Sequence, residues 1–422
     1  MQARLSSAAT TTKYKVMDKI EKIYIIQPIL SDNYRRLHDE AVALIESAGG
    51  VYVGSCFQNI KEINAATFIG SGKLAEIRNA LETVEELTIL FNGELTPSQT
   101  LNISAALGDR KVIDRTTLIL DIFARNAVTS EGKIQVEIAQ LKYIYPRLKG
   151  KGAALSRLGG GIGSRGPGET QLETDRRHIA YRLKYLENKL KETASRRKIQ
   201  SGRRAKTGVK TVALVGYTNT GKSTLLNLLT GADVLSQNAL FVTLDPTARK
   251  CEIDGEEYLL IDTVGFIQAL PHDIVEAFKS TLEVALSCDL ALFVADASDD
   301  FALQFETTQK TLGELGFNKK YLKVLNKCDK VENASSLPAD CILISAAEGT
   351  GITALKEGIK KSFEERFKRL ELFIPFGQMN DYEKIRQCAA EISREYTDSG
   401  MNVHIKAEDI FADKFKPFVK KL

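Results

Sequence analysis

The sequence is poor in the residues that build metal sites and covalent cross-links. Its 422 residues include four histidines, and its six cysteines (Cys56, Cys251, Cys288, Cys328, Cys341 and Cys388) contain no pair at C-x-x-C spacing. A structural zinc site needs clustered Cys and His ligands, and a disulfide scaffold needs dense, paired cysteines, so the pattern argues against both and for reduced thiols. Long apolar runs are missing too. No window approaches the roughly 18 apolar residues of a membrane span, and Leu290–Ala295 is only of strand length. The start, MQARLSSAATTTKYKV, lacks the apolar core of a signal peptide. Residues 1–18 are therefore read as a disordered tail, and a cytoplasmic monomer is expected. No large charge excess exists either: 58 Lys and Arg against 54 Asp and Glu give +4. With 43% hydrophobic and 27% charged residues, the chain is of ordinary globular composition, which excludes disordered and collagenous classes. Its length is too great for one core and predicts two or three domains.

The pattern along the chain predicts an α/β multidomain protein with four ordered parts. Over 19–128, strand-like runs (IEKIYIIQPI, GVYVGSCF, LTILFN, KVID) alternate with helical segments, which is the signature of a small parallel α/β domain. In its first helix, Leu37, Ala41, Leu44 and Ile45 share one face, with Ser31 or Asp32 as the expected cap and Gly49-Gly50 as the stop. Over 129–206, Ile134, Ile138, Leu141, Tyr145 and Leu148 step at a/d spacing. So do Leu172, Ile179, Leu183, Leu186 and Leu190, interrupted by Arg176, on the far side of the Gly-rich loop 159–169. This reads as an antiparallel helical hairpin. Over 207–370 strand runs recur, with Asp254-Gly255 marking a β-hairpin that adds an antiparallel edge strand to a mostly parallel sheet. Residues 371–422 offer the strand LFIPF, a helix over DYEKIRQCAAEISREY and the strand MNVHIK, an expected α+β extension.

Charge is unevenly spread. Residues 142–210 carry 19 Lys or Arg and 5 Asp or Glu, leaving the rest of the chain net −10. A basic element on an otherwise acidic protein is the footprint of a polyanion contact such as RNA. Arg157, Arg165, Arg176 and Arg177 flank the Gly-rich tip and are its candidate anchors.

The chemistry lies in four motifs, each following an apolar strand run. Gly216-Tyr217-Thr218-Asn219-Thr220-Gly221-Lys222-Ser223 fits G-x-x-x-x-G-K-[ST] between a strand and a helix. Its backbone N–H groups surround phosphate oxygens, Lys222 supplies a cation at the β- and γ-phosphates, and Ser223 a hydroxyl for Mg²⁺. In Asp262-Thr263-Val264-Gly265 the carboxylate holds Mg²⁺ through water and the Gly265 N–H senses the γ-phosphate. In Asn326-Lys327-Cys328-Asp329 the Asp329 carboxylate accepts two bonds from guanine, a donor pair adenine lacks. Ser345-Ala346-Ala347 suits close backbone approach to the base. Thr243 and Thr247 are both candidates for the Mg²⁺-binding threonine of the first switch. The set is that of the translation-factor-related GTPases. The expected substrate is GTP, with GDP as product and Mg²⁺ as cofactor.

Further segments carry a narrower likeness. GKIQVEIAQLKYIYPRL, GGGIGSRGPGETQLETDRR and FVTLDPT, with DRTTLILDIFARNA and FNGELTPSQ nearer the start, resemble the HflX family of ribosome-associated GTPases over about residues 20–370. The resemblance implies an N-terminal HflX domain, a helical hairpin, a G domain and a C-terminal extension. It also implies Thr243 over Thr247 as the switch threonine, within Phe241-Val242-Thr243-Leu244-Asp245. As partner it implies the large ribosomal subunit and its rRNA, with GTP-dependent splitting of stalled or idle ribosomes under stress. One departure is RNAVTSEGK after Ala124, where the family more often shows an Arg- and Thr-rich turn; it leaves rRNA contacts there in question. A second nucleotide site implied for the first domain has only Ile69-Gly70-Ser71-Gly72-Lys73-Leu74 to offer. That run lacks the spacing and hydroxyl and reads as a turn and helix start.

The position after Gly265, often a water-orienting Gln, is Phe266, and no Arg of the switch is placed as a finger, although Arg249 is near. Slow intrinsic hydrolysis, stimulated by ribosomes, is expected. Asn219 is open to two readings: a ligand for a bound K⁺ that supplies the missing positive charge, or a brace for the loop. The competing functions are a P-loop ATPase and a nucleotide-gated rRNA-binding module that splits nothing.

Overall fold

From Lys22 the chain alternates strand and helix: β1 (Lys22–Ile29), α1 (Tyr34–Ser47), β2 (Val51–Asn59), α2 (Ser71–Ala80), β3 (Leu87–Phe91), α3 (Pro97–Ala106), β4 (Val112–Asp114) and α4 (Arg115–Asn126). The four strands form one parallel sheet in the order β2-β1-β3-β4. Helices cover both faces, which is why β3 reads LTILF with every residue buried. Ile23 and Ile25 pack with Ala41, Leu44 and Ile45 of α1 and Leu118 and Ile122 of α4. Ile26, Ile89 and Phe91 pack on the other face with Leu74 and Ile77 of α2 and Ile103 of α3. The structure is a computed structural model, describing residues 20–156, 167–206, 209–231, 240–241, 246–268, 271, 274, 279–333, 337–364, 367–408 and 415–419.

Local signals account for most helix starts. Thr96 and Gln99 form a capping box before α3, with Pro97 in its first turn. Gly70 precedes α2, so the Ile69–Leu74 run is a turn into a helix. The start of α1 differs from expectation. Asn33, not Ser31 or Asp32, stands at the cap and makes no side-chain cap bond, because the Ser31 hydroxyl is engaged with Asn33 Oδ1.

Two long helices follow, α5 (Ser130–Ser156) and α6 (Pro167–Lys206). Ile134, Ile138 and Leu186 are buried between them, with Leu141, Leu183 and Leu190 alongside. Arg182 forks onto Glu137 at 2.7 and 3.0 Å, while Arg176 lies over the Tyr145 ring at 5.1 Å, so the pairing runs antiparallel. The middle of α5 is fixed to the first sheet. The Tyr143 hydroxyl donates to Asp114 at the end of β4, and Arg147 donates to the Leu95 carbonyl at 2.9 Å.

The next unit runs β5 (Lys210–Gly216), α7 (Lys222–Thr230), β6 (Thr247–Ile253), β7 (Glu256–Asp262), α8 (Lys279–Ser287), β8 (Leu290–Asp296), α9 (Phe301–Glu314), β9 (Tyr321–Asn326), β10 (Ile342–Leu343) and α10 (Ile352–Glu364). Its sheet order is β10-β9-β8-β5-β7-β6. Only the β6–β7 pair is antiparallel. Asp254 and Gly255 both have positive φ, +50° and +81°, the geometry of a tight hairpin turn.

The last part is a three-stranded antiparallel sheet, β11 (Phe367–Pro375), β13 (Gly400–Glu408) and β12 (Ala389–Thr397) in that spatial order, packed on α11 (Met379–Cys388). Here the expected helix through Tyr396 is corrected: it ends at Cys388 and the chain turns into β12. Tyr382 and Ile385 already fill the sheet's inner face. The next positions on that helical face, Ile392 and Tyr396, are exposed and had nothing to bury against, whereas a strand gains the β13 ladder.

Candidate nucleotide-binding site

The motif residues meet at the C-terminal edge of the six-stranded sheet, where β5 ends at Gly216, β7 at Asp262, β8 at Asp296 and β9 at Asn326. Open α/β sheets bind ligands at this edge. The phosphate loop runs from Gly216 into α7, whose N-terminal N–H groups are an anion site. Gly221 has φ +87°, and a Cβ there would stand 2.3 Å from Asn326 Nδ2, so no side chain fits. Asn326 is 2% exposed. Its Nδ2 donates to the Thr220 carbonyl at 2.7 Å and its Oδ1 accepts from the Ala346 N–H at 2.9 Å. Lys327 donates to the Asn219 carbonyl at 2.7 Å and to Asp296 at 2.6 Å. The first half of the Asn-Lys-x-Asp motif thus binds the loops to one another. Ser345 is buried, its Oγ accepting from the Glu348 N–H, while Asp329 and Ala347 stand exposed at the rim.

Ser223 and Asp262, the residues expected on the Mg²⁺ side, also converge. Ser223 donates to Asp262 at 2.7 Å, and Asp262 and Thr263 are fully buried. No cluster of three or more His, Cys, Asp or Glu exists among the described residues. A hydroxyl backed by one carboxylate suits a Mg²⁺ that takes most of its ligands from phosphate and water. Lys222 donates to the carbonyls of Tyr217 (2.6 Å) and Gly216 (3.2 Å). Burial pushes its ammonium down to about 8, with Asp262 opposing and Lys327 adding to the fall.

Other candidates lie elsewhere. Val242, Thr243, Leu244 and Asp245 fall outside the described residues, as do Arg157 and Arg165. Thr247 is the first residue of β6, paired with Asp262 in the ladder. Phe241, expected in the nucleotide site, turns its ring to the first unit. Its ring is 2% exposed, edge-on to Phe123 of α4 at 4.6 Å, and its carbonyl accepts from Asn126 at 2.8 Å. Arg176 is engaged with Tyr145, whereas Arg177 is 81% exposed on α6. Tyr217 reaches the first unit, where its hydroxyl donates to Glu40 of α1 and accepts from the Gln268 N–H. Glu40, Arg115 and Gln268 were not legible as site residues. They are isolated polar residues with no motif, joined only by the tertiary fold.

Comparison with known proteins agrees with this architecture. Residues 35–124 match the family model for the GTP-binding GTPase N-terminal region, 126–204 that for the GTP-binding GTPase middle region, and 211–327 that for the 50S ribosome-binding GTPase. The chain is 42% identical over 402 residues to the GTPase HflX of Caldanaerobacter subterraneus subsp. tengcongensis, spanning 94% of each chain. The chain belongs to the HflX family of GTPases. The Escherichia coli GTPase HflX is 39% identical, covering 80% of this chain and 81% of that one. Among solved structures, a GTP-binding protein from Sulfolobus solfataricus in complex with GDP is 26% identical, with 81% of this chain and 98% of that chain covered and a TM-score of 0.43. As an HflX member the protein is a GTP hydrolase, and the ATPase alternative is set aside. No helix among the described residues is long and apolar enough to cross a membrane.

Asn326→Ala tests the loop brace. It strands the buried Thr220 carbonyl and Ala346 N–H, at about 1–3 kcal/mol for each unpaired group. The expected outcome is lower stability in denaturant unfolding and at least roughly tenfold weaker GDP binding, the equivalent of about 1.4 kcal/mol. Wild-type GDP affinity would show that the loops hold their register without it.

Proposed function

We propose that this protein docks on the large ribosomal subunit and uses its GTP cycle to dissociate stalled or idle ribosomes. The observation that carries the reading is the joint between the basic hairpin and the nucleotide site. Asp114 accepts from Tyr143 in the middle of α5, and the next residue, Arg115, donates to the Gln268 carbonyl just past Gly265. A short run of buried bonds therefore connects a stretch of net charge +14 to the segment that senses the γ-phosphate. The match of 211–327 to the 50S ribosome-binding GTPase model supports the partner, and with it a cytoplasmic place on ribosomes. The tip would contact rRNA through Arg157, Arg165 and Arg177. Arg176 would do so only by leaving the Tyr145 ring.

In this reading Asp329 pairs with the guanine edge, Lys222 and the loop N–H groups hold the β- and γ-phosphates, and Ser223 with Thr243 holds Mg²⁺, which neutralises charge on the phosphates when bound. Phe266 is buried and offers no hydrogen bond to water, so intrinsic turnover is slow and the ribosome stimulates it. Asn219 is exposed, has φ +59°, and its carboxamide has no partner among the described residues, since Lys327 takes its backbone carbonyl instead. The carboxamide is thus available to a K⁺, and the salt comparison below separates that reading from the brace.

Each part has its measurement. Asp329→Asn should weaken GTP binding and favour a xanthine nucleotide; unchanged GTP affinity would refute the base assignment. Ribosomes sedimented with the protein and GTP or a non-hydrolysable analogue should shift towards subunits, and GDP should not do this. Tight subunit binding with an unchanged ratio of ribosomes to subunits would favour the passive rRNA-binding module. Hydrolysis should be faster in K⁺ than in Na⁺ at equal ionic strength, and Asn219→Ala should abolish the difference. Equal rates in both salts, with and without large subunits, would remove the cation from the mechanism.

A further inference from the structure

The four side chains between Gly216 and Gly221 go to different places. The Tyr217 hydroxyl reaches Glu40 of α1. Asn219 stands exposed. Thr220 is buried and donates to the Tyr217 carbonyl at 3.0 Å. Thr218 is 5% exposed, and its hydroxyl is buried with no hydrogen-bond partner among the described residues. Neighbouring hydroxyls are engaged, Thr263 with the Leu214 carbonyl at 2.7 Å and Ser223 with Asp262 at 2.7 Å. A buried hydroxyl without a bond is destabilising, so its presence calls for a partner that arrives with the ligand.

Thr218 lies beside the groups expected at the γ-phosphate. A Cβ built on Gly265 would stand 2.8 Å from both the Thr218 Cα and its methyl Cγ2, and 3.0 Å from Lys222 Nζ. The Thr218 side chain and the Lys222 ammonium therefore border one small space next to Gly265. The Thr218 N–H donates to the Phe266 carbonyl at 2.7 Å, which fixes the loop here. The Phe266 ring turns the other way, into the core with Val215, Leu282 and Ala285. The position after Gly265 thus sends no polar side chain towards the phosphates. The Thr218 hydroxyl shares its β-carbon with the methyl, and one staggered turn of χ1 exchanges the two. That turn breaks no hydrogen bond, since the hydroxyl makes none. We propose that Thr218 is a catalytic residue of GTP hydrolysis, its hydroxyl accepting a hydrogen bond from the attacking water and donating one to a γ-phosphate oxygen. In the step, the water oxygen bonds to the γ-phosphorus. The bond from that phosphorus to the β–γ bridging oxygen breaks, and its electron pair leaves with GDP. The water proton passes to a γ-phosphate oxygen, giving inorganic phosphate, and Thr218 ends unchanged. The hydroxyl takes up the work of a water-orienting glutamine from the phosphate loop, where Phe266 cannot do it. This role rests on the γ-phosphate placement proposed above, and nothing in it depends on whether ribosomes are split.

The test uses the full chain, without ribosomes, as Thr218→Val and Thr218→Ser. Valine keeps the shape and removes the hydroxyl, whereas serine keeps the hydroxyl. GDP affinity and the single-turnover rate of GTP hydrolysis are measured for each. Thr218→Val should hydrolyse GTP at least roughly tenfold more slowly, as for a donor lost from the transition state. Its GDP affinity should stay within about twofold of wild type, and Thr218→Ser should keep the rate within about threefold. A Val variant within about threefold of the wild-type rate overturns the proposal. So does a Ser variant as slow as the Val one, or a loss of GDP affinity that matches the loss of rate, since either marks the side chain as a brace of the loop. Thermal melting of the nucleotide-free protein is the second measurement. Thr218→Val should melt no lower than wild type, because it removes a hydroxyl that has no partner. A lower melting temperature, or failure to fold, shows that the hydroxyl is already bonded in the free protein and overturns the proposal. Lys222→Ala separates the two readings: if it hydrolyses GTP at the wild-type rate, the γ-phosphate placement itself is wrong, and the role of Thr218 falls with it.

Discussion

One buried carboxamide keeps the nucleotide site in register. The phosphate loop, the Asn-Lys-x-Asp turn and the Ser345–Ala347 turn leave different strands, and each is irregular backbone with few bonds of its own. Asn326 donates to the first and accepts from the third while standing in the second. It does so with both ends of one amide, in a place without water, where each bond lost leaves a stranded group. Lys327 repeats the connection at the surface through Asn219 and Asp296. Asp329, the residue proposed to read the base, need therefore only be exposed, because its neighbours in sequence have fixed where it stands.

The same economy governs the contact between the two α/β units. Their apolar cores run together: Tyr217, Leu240, Phe241, Val264, Ile267 and Ile274 share a cluster with Ile23, Leu44 and Phe123. Phe241 has φ +59°, a left-handed conformation that costs a non-glycine residue roughly 1–2 kcal/mol. Burying a phenylalanine ring gains about 1.5–3 kcal/mol, enough to offset that strain, and the Asn126 bond adds to it. The entrance to the first switch is thus held by packing on another unit, and the segment from Gly265 to Gln268 by hydrogen bonds to it.

What could be read from the sequence follows from where the information sits. The sheets, the edge hairpin at Asp254-Gly255 and the a/d stripes were legible because period and turn chemistry are local. The phosphate-loop residues were legible because one short segment carries glycine, lysine and hydroxyl together. The strand Ala389–Thr397 was misread because its helical spacing looked acceptable until the neighbouring ladder supplied a better alternative. Arg176 was legible as a break in a stripe, yet its place over Tyr145 depends on the facing helix. Glu40, Arg115 and Gln268 were invisible for a stronger reason. They lie 75 and 153 residues apart along the chain, and each is an ordinary polar residue within its own element.

The hairpin gains its mechanical meaning from the adjacency of Asp114 and Arg115. Asp114 receives Tyr143 and so fixes the middle of α5, while Arg115 holds Gln268. These two residues span the end of β4 and the first turn of α4, a stiff corner set by the Asp114 cap on the Thr117 N–H. The contact that holds the segment after Gly265 thus lies one residue from the contact that holds the middle of α5. From Arg147, the outermost of the anchors on α5, to the described end of that helix at Ser156 is nine residues, or about 14 Å of helix, so a rotation of about 10° there moves that end by roughly 2 Å. A partner that bends the arm meets Arg147 first, bonded to the Leu95 carbonyl and to Asp114, then Tyr143 on the same Asp114, and only then the groups around Gln268.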